Sequence, residues 1–235
     1  MTDGGESKRG GRRPGAGRPR KPNQHDAPHR RRPSLSPSHP VHVVLRTTAW
    51  TPRLRCGTTY RALRRVLVRY LGRADFRVVH LSIQSNHLHL LVEAADRRAL
   101  TRGMQSFAIN AARAIQRAPG KVFAYRYHAT QIDSARQARH TLAYVLNNWR
   151  KHREDGRSAK TLAAKLDPYA SGLAFTGWSQ RPRFRRPDGY EPLPVSPAKT
   201  HLLRFDWQQF GLIRFDEVPG PSIAYACRLP SGDHL

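Results

Sequence analysis

The chain has 235 residues, with 42 lysines and arginines against 16 aspartates and glutamates, and therefore a formal net charge of +26. An excess of this size predicts a polyanionic partner, and nucleic acid is the first candidate. No apolar segment is long enough to span or anchor in a bilayer, and two distant cysteines predict neither a zinc knuckle nor a disulfide framework.

The positive charge is concentrated in the middle of the chain. Residues 40–156 carry 21 basic and 6 acidic residues, a net +15, whereas residues 1–39 (10 against 3) and 157–235 (11 against 7) carry +7 and +4. A folded domain with this field would attract nucleic acid; a merely soluble basic surface and a membrane-surface binder are the alternatives. Six carboxylates are too few for a nuclease that clusters them around two metal ions.

The first 39 residues are basic, rich in Gly and Pro, and almost without apolar side chains, so we expect them to be disordered. They lack the apolar core of a secretory signal, and the cytoplasm is the expected compartment. The segment Gly17-Arg18-Pro19-Arg20 within residues 15–22 is similar to an AT-hook, in which Arg18 and Arg20 would bind the minor groove of A·T-rich DNA. A generic phosphate-binding tail is the alternative.

Hydrophobic periodicity and turn residues predict seven elements in residues 40–156. In chain order they are a strand at 41–47, a helix capped by Thr58 or Thr59 and ending near Tyr70, strands at 76–83 and 86–93, a helix capped by Asp96 and ending near Arg117, a strand at 122–132, and a helix capped by Ser134 and ending near His152. This order predicts an α+β fold with a ferredoxin-like antiparallel sheet, helices on one face and an open active-site face. Residues 157–235 are predicted to be an irregular extension with one short helix at 198–213.

Two histidines alternate with leucine in the stretch Asn86-His87-Leu88-His89-Leu90-Leu91-Val92-Glu93. Alternate side chains of a strand share a face, so His87 and His89 project together, away from the apolar side of the strand. Two adjacent imidazoles form a pair of metal ligands. Two solvent-facing strand residues are the simpler alternative.

The last predicted helix carries a tyrosine away from its apolar stripe. The stripe comprises Ala138, Leu142, Val145, Leu146 and Trp149. At 100° per residue, Tyr144 lies about 160–200° from the centre of that stripe, and Asn148 lies one turn later on the same face. A surface tyrosine on an ordinary amphipathic helix is the alternative.

These two motifs together resemble the HUH endonuclease superfamily, and most closely its single-tyrosine transposases and their REP-associated tyrosine transposase relatives. Gln84-Ser85-Asn86-His87-Leu88-His89-Leu90-Leu91-Val92 is similar to the central strand of that family. Tyr144-Val145-Leu146-Asn147-Asn148 is similar to its tyrosine helix. The resemblance covers residues 40–155 and divides the chain into a basic tail at 1–39, a transposase domain at 40–156 and an extension at 157–235.

The resemblance implies that His87, His89 and Asn148 hold Mg²⁺ or Mn²⁺, and that Tyr144 attacks the scissile phosphate. The product would be a 5′-phosphotyrosine with a free 3′-OH, formed on single-stranded or hairpin DNA in a bacterial, nucleoid-associated setting. Either Lys151 or the metal ion itself could activate Tyr144, and Lys151 could also contact the DNA. A catalytically silent DNA-binding descendant and a structural zinc protein are the rival hypotheses, and both a monomer and a homodimer remain possible.

Overall fold

Four strands form one antiparallel sheet in the computed structural model, which describes residues 34–116, 120–152, 166–181, 184 and 188–220. The strands are β1 (Val41–Arg46), β2 (Phe76–Ile83), β3 (His87–Ala94) and β4 (His128–Gln131), in the order β2-β3-β1-β4. The two central strands, β1 and β3, are rich in Val and Leu, which suits strands buried on both faces. The predicted ferredoxin-like α+β fold is confirmed.

The first face of the sheet is covered by α1 (Gly57–Val68) and α2 (Arg97–Ile115). The side chain of Asp96 caps α2 as predicted, accepting a hydrogen bond of 2.7 Å from the backbone N–H of Ala99. Helix α1 begins two or three residues earlier than predicted, because Cys56 rather than Thr58 or Thr59 occupies the N-cap position. The strands and helices follow one another along the chain in the predicted order.

The second face is covered by α3 (Ala135–Lys151), which Ser134 caps as predicted. This face is not the open surface that the sequence predicted. Residues 142–150 are all buried, because the sheet contacts one side of α3 and a C-terminal segment lies along the other. We use the name C-terminal segment for the described part of residues 166–220. That segment accepts hydrogen bonds from Asn147 through the carbonyl of Arg214, at 2.9 Å, and from Arg150 through the carbonyl of Phe215, at 2.8 Å.

Strand β4 is shorter than the predicted strand at 122–132. Val44 pairs with His128, whereas Thr47 forms an isolated bridge with Phe123. Residues 45–46 of β1 therefore lie opposite the four residues 124–127. The two extra residues must leave the plane of the sheet as a bulge. The side chain of Tyr125 lies in this bulge and is 48% exposed.

The C-terminal segment packs on the domain through buried carboxylates. Glu93 accepts hydrogen bonds from the backbone N–H groups of Lys199 and Thr200, and Asp167 forms a two-pronged ion pair with Arg55 at 2.8 and 2.9 Å. Instead of one helix at 198–213, this segment has α4 (His201–Arg204) and a 3₁₀ helix (Asp206–Phe210), with another 3₁₀ helix at Ser171–Ala174. No helix within the described ranges has the length and apolar character needed to cross a bilayer.

Burial of His80 beneath the C-terminal segment predicts an acid-sensitive fold. Burial lowers the pKa of His80 from 6.5 to about 4. Between these two values the unfolded chain binds a proton that the folded chain does not, so stability falls as the pH falls from 6.5 to 4. For His80 alone the expected loss is about 3 kcal/mol.

The His80→Asn variant keeps a polar group near Ser171 Oγ, which lies 3.0 Å from His80 Nδ1, but it cannot be protonated. Denaturant unfolding near neutral pH and near pH 4 should give a smaller loss of unfolding free energy for the variant than for the wild type. Equal losses in the two proteins would contradict the assignment.

Candidate active site

The two histidines of β3 lie on the second face of the sheet, beneath α3. His89 is 1% exposed and His87 is 9% exposed, and their Nε2 atoms are 2.9 Å apart. The predicted shared face is therefore correct, whereas the alternative of two solvent-facing residues is wrong. Both Nε2 atoms point to a common place between the rings.

Each of these histidines has a second partner at its other ring nitrogen. Asn86 Oδ1 lies 2.7 Å from Nδ1 of His87, and His42 Nε2 lies 3.1 Å from Nδ1 of His89. A partner at Nδ1 fixes the tautomer and orients the ring, which leaves Nε2 to bind a metal ion. His42 thus belongs to the site, although the sequence motifs did not include it. The available signal was the alternation of His42, Val44 and Arg46 in β1, which places His42 on the face of His89.

Burial keeps the core of this histidine cluster neutral. Desolvation, with smaller contributions from the charges of His128 and His87, lowers the pKa of His42 to about 4. Desolvation also holds the pKa of His89 well below 6.5, with contributions from neighbouring histidines and from Arg46. Neutral imidazoles retain the lone pair that a metal ion needs, so His89 is ready to be a ligand at neutral pH.

Tyr144 lies against the histidines. Its ring centroid is 5.2 Å from that of His89 and 5.8 Å from that of His42, in edge-to-face arrangements, and its side chain is 7% exposed. The alternative of a surface tyrosine is therefore wrong. Tyr144 faces the sheet at this point, and Leu142 of the apolar stripe packs in one cluster with residues of both the sheet and the C-terminal segment. Lys151 Nζ lies 5.6 Å from the centroid of the Tyr144 ring and 3.5 Å from the carbonyl oxygen of Gly220.

Asn148, one turn after Tyr144 in α3, lies on the side of the helix that faces His87 and His89. His152, another turn on, has its ring 5.9 Å from that of His87, and Tyr144 contacts His89 one turn before. Asn148 therefore lies opposite the histidine pair, on the shared side of the helix. Its side chain is 0% exposed, and neither its Oδ1 nor its Nδ2 has a hydrogen-bond partner among the described residues. A buried amide without a partner is costly, and a metal ion bound by Oδ1 would remove the share of that cost that comes from the oxygen.

This orphaned amide gives a test in the absence of DNA. Asn148→Leu should raise the unfolding free energy of the metal-free protein by about 1–3 kcal/mol, because leucine has a similar volume and no polar atoms to satisfy. The same variant should lose most of the thermal stabilisation that Mn²⁺ confers on the wild type. Scanning calorimetry with and without Mn²⁺ measures both. A variant that is less stable without metal would show that the amide has a structural partner.

The remaining ligand chemistry is limited within the described residues. They contain no group of three or more His, Cys, Asp or Glu side chains that could hold a metal ion. Beside His87 and His89, the buried side chain of Asn148 could offer an amide oxygen as a further ligand. The donor set of two imidazoles and one amide oxygen fits a hard or borderline divalent cation with open positions for substrate.

A cavity of about 420 Å³ opens beside Tyr144 and His42. Its lining includes Thr130 of β4, Arg139 of α3 and Gly220 of the C-terminal segment. It is large enough to take part of a nucleotide against the tyrosine. The predicted DNA-binding residues Arg18 and Arg20 lie in residues 1–33, outside the described residues, whereas residues 34–39 of the predicted tail are described, and Leu35 packs against the core.

Comparisons with known proteins agree with this geometry. The family model for IS200-like transposases matches residues 36–148. Among solved structures, the REP-associated tyrosine transposase bound to a REP hairpin is similar, with a TM-score of 0.50 and 14% identity over 63% of this chain and 84% of that one. At that identity the likeness establishes the fold. A search of curated proteins gave no match. The match over residues 36–148, which contain His87, His89, Tyr144 and Asn148, together with the shared fold, supports an HUH-type single-tyrosine transposase of the IS200-like kind.

Proposed function

We propose that this protein cleaves and rejoins single-stranded or hairpin DNA through a 5′-phosphotyrosine at Tyr144, with Mg²⁺ or Mn²⁺ as cofactor. The observation that carries the proposal is the contact of Tyr144 with His89, at 5.2 Å between ring centroids, within a single chain. A nucleophile and a metal-binding pair thus meet in one buried place. The net charge of +15 over residues 40–156 and the DNA hairpin named for the similar structure support DNA as the partner.

His87, His89 and Asn148 would hold the cation. When bound, it would polarise a non-bridging oxygen of the scissile phosphate as a Lewis acid. Asn86 and His42 would orient the two imidazoles through their Nδ1 atoms, since both are within hydrogen-bond distance. These residues would keep the two Nε2 lone pairs directed at one point.

Tyr144 would supply the nucleophile. Its phenolic oxygen forms a bond to phosphorus, the bond from phosphorus to the 3′ oxygen breaks, and that oxygen leaves with a proton as a 3′-OH. The phosphodiester is conserved in the tyrosine ester, so a second 3′-OH can displace the tyrosine and regain a DNA strand. The nearby ammonium of Lys151 would favour the phenolate, whose unperturbed pKa is near 10.

A single chain holds all of the proposed groups. His87 and His89 come from β3, and Tyr144 and Asn148 come from α3 of the same chain. A monomer could therefore carry out cleavage without a residue from a second copy. A DNA-binding protein without turnover is the second candidate, and the intact set of histidines and tyrosine favours an enzyme.

The decisive experiment incubates the full-length protein with end-labelled DNA hairpins from its genomic neighbourhood in the presence of Mn²⁺. A protein–DNA adduct that resists SDS and whose DNA-linked peptide contains Tyr144 is the expected result. Specific hairpin binding without adduct or cleavage, across all hairpins and with both Mn²⁺ and Mg²⁺, would instead support the binding protein.

A further inference from the structure

We propose that Trp50 stacks on unpaired bases of the DNA strand beside the active site. It lies in a surface that we name the Trp50 platform, made of Arg46, Trp50, Lys121, Tyr125 and Arg126. The inference rests on the proposed function and adds to it a place where bases, rather than phosphates, are bound.

Trp50 is unusual in its exposure. Its side chain is 90% exposed in the loop between β1 and α1, whereas Trp149 and Trp207 are 3% and 2% exposed. A large aromatic surface left in water lowers its free energy when a partner covers it, and flat aromatic partners fit an indole best. Trp50 is therefore available for stacking, and packing within the domain does not explain its position.

The loop that carries Trp50 is well ordered by hydrogen bonds. The hydroxyls of Thr48 and Thr51 lie 2.9 Å apart, and the N–H of Thr51 donates to the carbonyl of Thr48 at 3.1 Å. The hydroxyl of Thr51 also donates to the carbonyl of Val122, at 3.0 Å. A turn fixed in this way presents the indole without a large cost in conformational entropy on binding.

The loop is joined to the metal-holding end of β3. The N–H and the hydroxyl of Thr47 both donate to the carbonyl of Asn86, each at 2.9 Å, and the side chain of Asn86 contacts His87. Arg46 is the cross-strand partner of His87 in the register of β1 and β3, so the two side chains share a face. A strand whose phosphate lies at His87 would continue past Arg46 toward this loop.

The chemistry of the platform matches a single nucleic-acid strand. The N–H of Thr48 donates to the carbonyl of Val122, and the N–H of Ala124 donates to that of Arg46, both at 2.9 Å. These bonds place Lys121, Tyr125 and Arg126 next to the loop. Residues 46–56 and 120–128 contain no aspartate or glutamate. Aromatic rings among cations, without anions, bind bases by stacking and phosphates by charge.

Two probes separate stacking from phosphate binding. One is a fluorescein-labelled oligo(dT) of about 20 nucleotides, and the other is an abasic deoxyribose-phosphate strand of the same length. Anisotropy titrations with the full-length protein in EDTA measure binding without cleavage. Trp50→Ala should weaken oligo(dT) binding by about 5- to 100-fold and leave abasic-strand binding unchanged, whereas Trp50→Phe should retain most of the affinity.

A control variant and a fluorescence measurement accompany these titrations. Ile109→Ala removes an exposed apolar side chain of α2, 45% exposed and outside the Trp50 platform, and should change neither affinity. Oligo(dT) should quench the tryptophan fluorescence of the wild type more than that of Trp50→Ala, and the abasic strand should not quench it.

The inference is overturned if the wild type does not bind oligo(dT), or if Trp50→Ala binds both strands as the wild type does or weakens both equally. The outcome is independent of the adduct experiment. If the adduct forms at Tyr144 but Trp50→Ala does not change binding, only the proposal for Trp50 is wrong. If Trp50 contributes to base-dependent binding but no adduct forms, only the catalytic proposal is wrong.

Discussion

Tyr144→Phe is expected to lower formation of the covalent protein–DNA adduct by at least ~10³-fold, because no other group replaces the attacking oxygen. The substitution removes one atom and keeps the ring, which packs against His89 and His42 at 5.2 and 5.8 Å. DNA affinity in EDTA should therefore remain close to that of the wild type. SDS gels of end-labelled hairpin reactions measure the adduct, and anisotropy measures the binding.

Tyr70→Phe is the matched control, because it removes a phenolic oxygen on the opposite face of the sheet, where Tyr70 Oη lies 2.9 Å from Ser106 Oγ. It should form the adduct at the wild-type level. An adduct that persists in Tyr144→Phe would assign the nucleophile to another residue and leave the histidine pair without its proposed role.

His89→Ala is expected to reduce Mn²⁺ affinity by more than about 100-fold, because loss of a direct ligand should cost more than the 10- to 100-fold typical of outer partners. Metal-dependent cleavage should fall in parallel. Binding of Mn²⁺ can be measured by electron paramagnetic resonance of the free ion, without DNA and without turnover. This readout separates loss of the metal from loss of catalysis.

A graded series tests the geometry behind this expectation. His42→Phe keeps an aromatic ring beside Tyr144 but removes the partner of His89 Nδ1, so Mn²⁺ affinity should fall by roughly 10- to 100-fold. His80→Asn changes another buried histidine of the same sheet, whose ring contacts Ser171 and Phe175, and should bind Mn²⁺ as the wild type does. Wild-type affinity in His89→Ala would show that the histidine pair is not the metal site.

Much of the candidate site could be predicted from residue spacing. The alternation of His87 and His89 requires a shared face in any strand, and a spacing of four requires Tyr144 and Asn148 to share a face in any helix. Both requirements are local, so they hold whatever surrounds the element. His42 escaped this reasoning because its partner His89 is 47 residues away, and only the register of β1 against β3 brings them together.

The amino-acid sequence by itself determined the order of the strands and helices, the faces of the key side chains and the strong positive charge, because these follow from short-range periodicity and composition. Only the tertiary structure decided that the second face is covered, since the burial of α3 on both sides depends on a C-terminal segment more than 60 residues away along the chain. Tertiary packing also decided that Asn148 has no side-chain hydrogen bond to any residue that the structure describes, and that Trp50 stays in solvent. Burial is a property of all neighbours at once, and the pattern of one element cannot specify it.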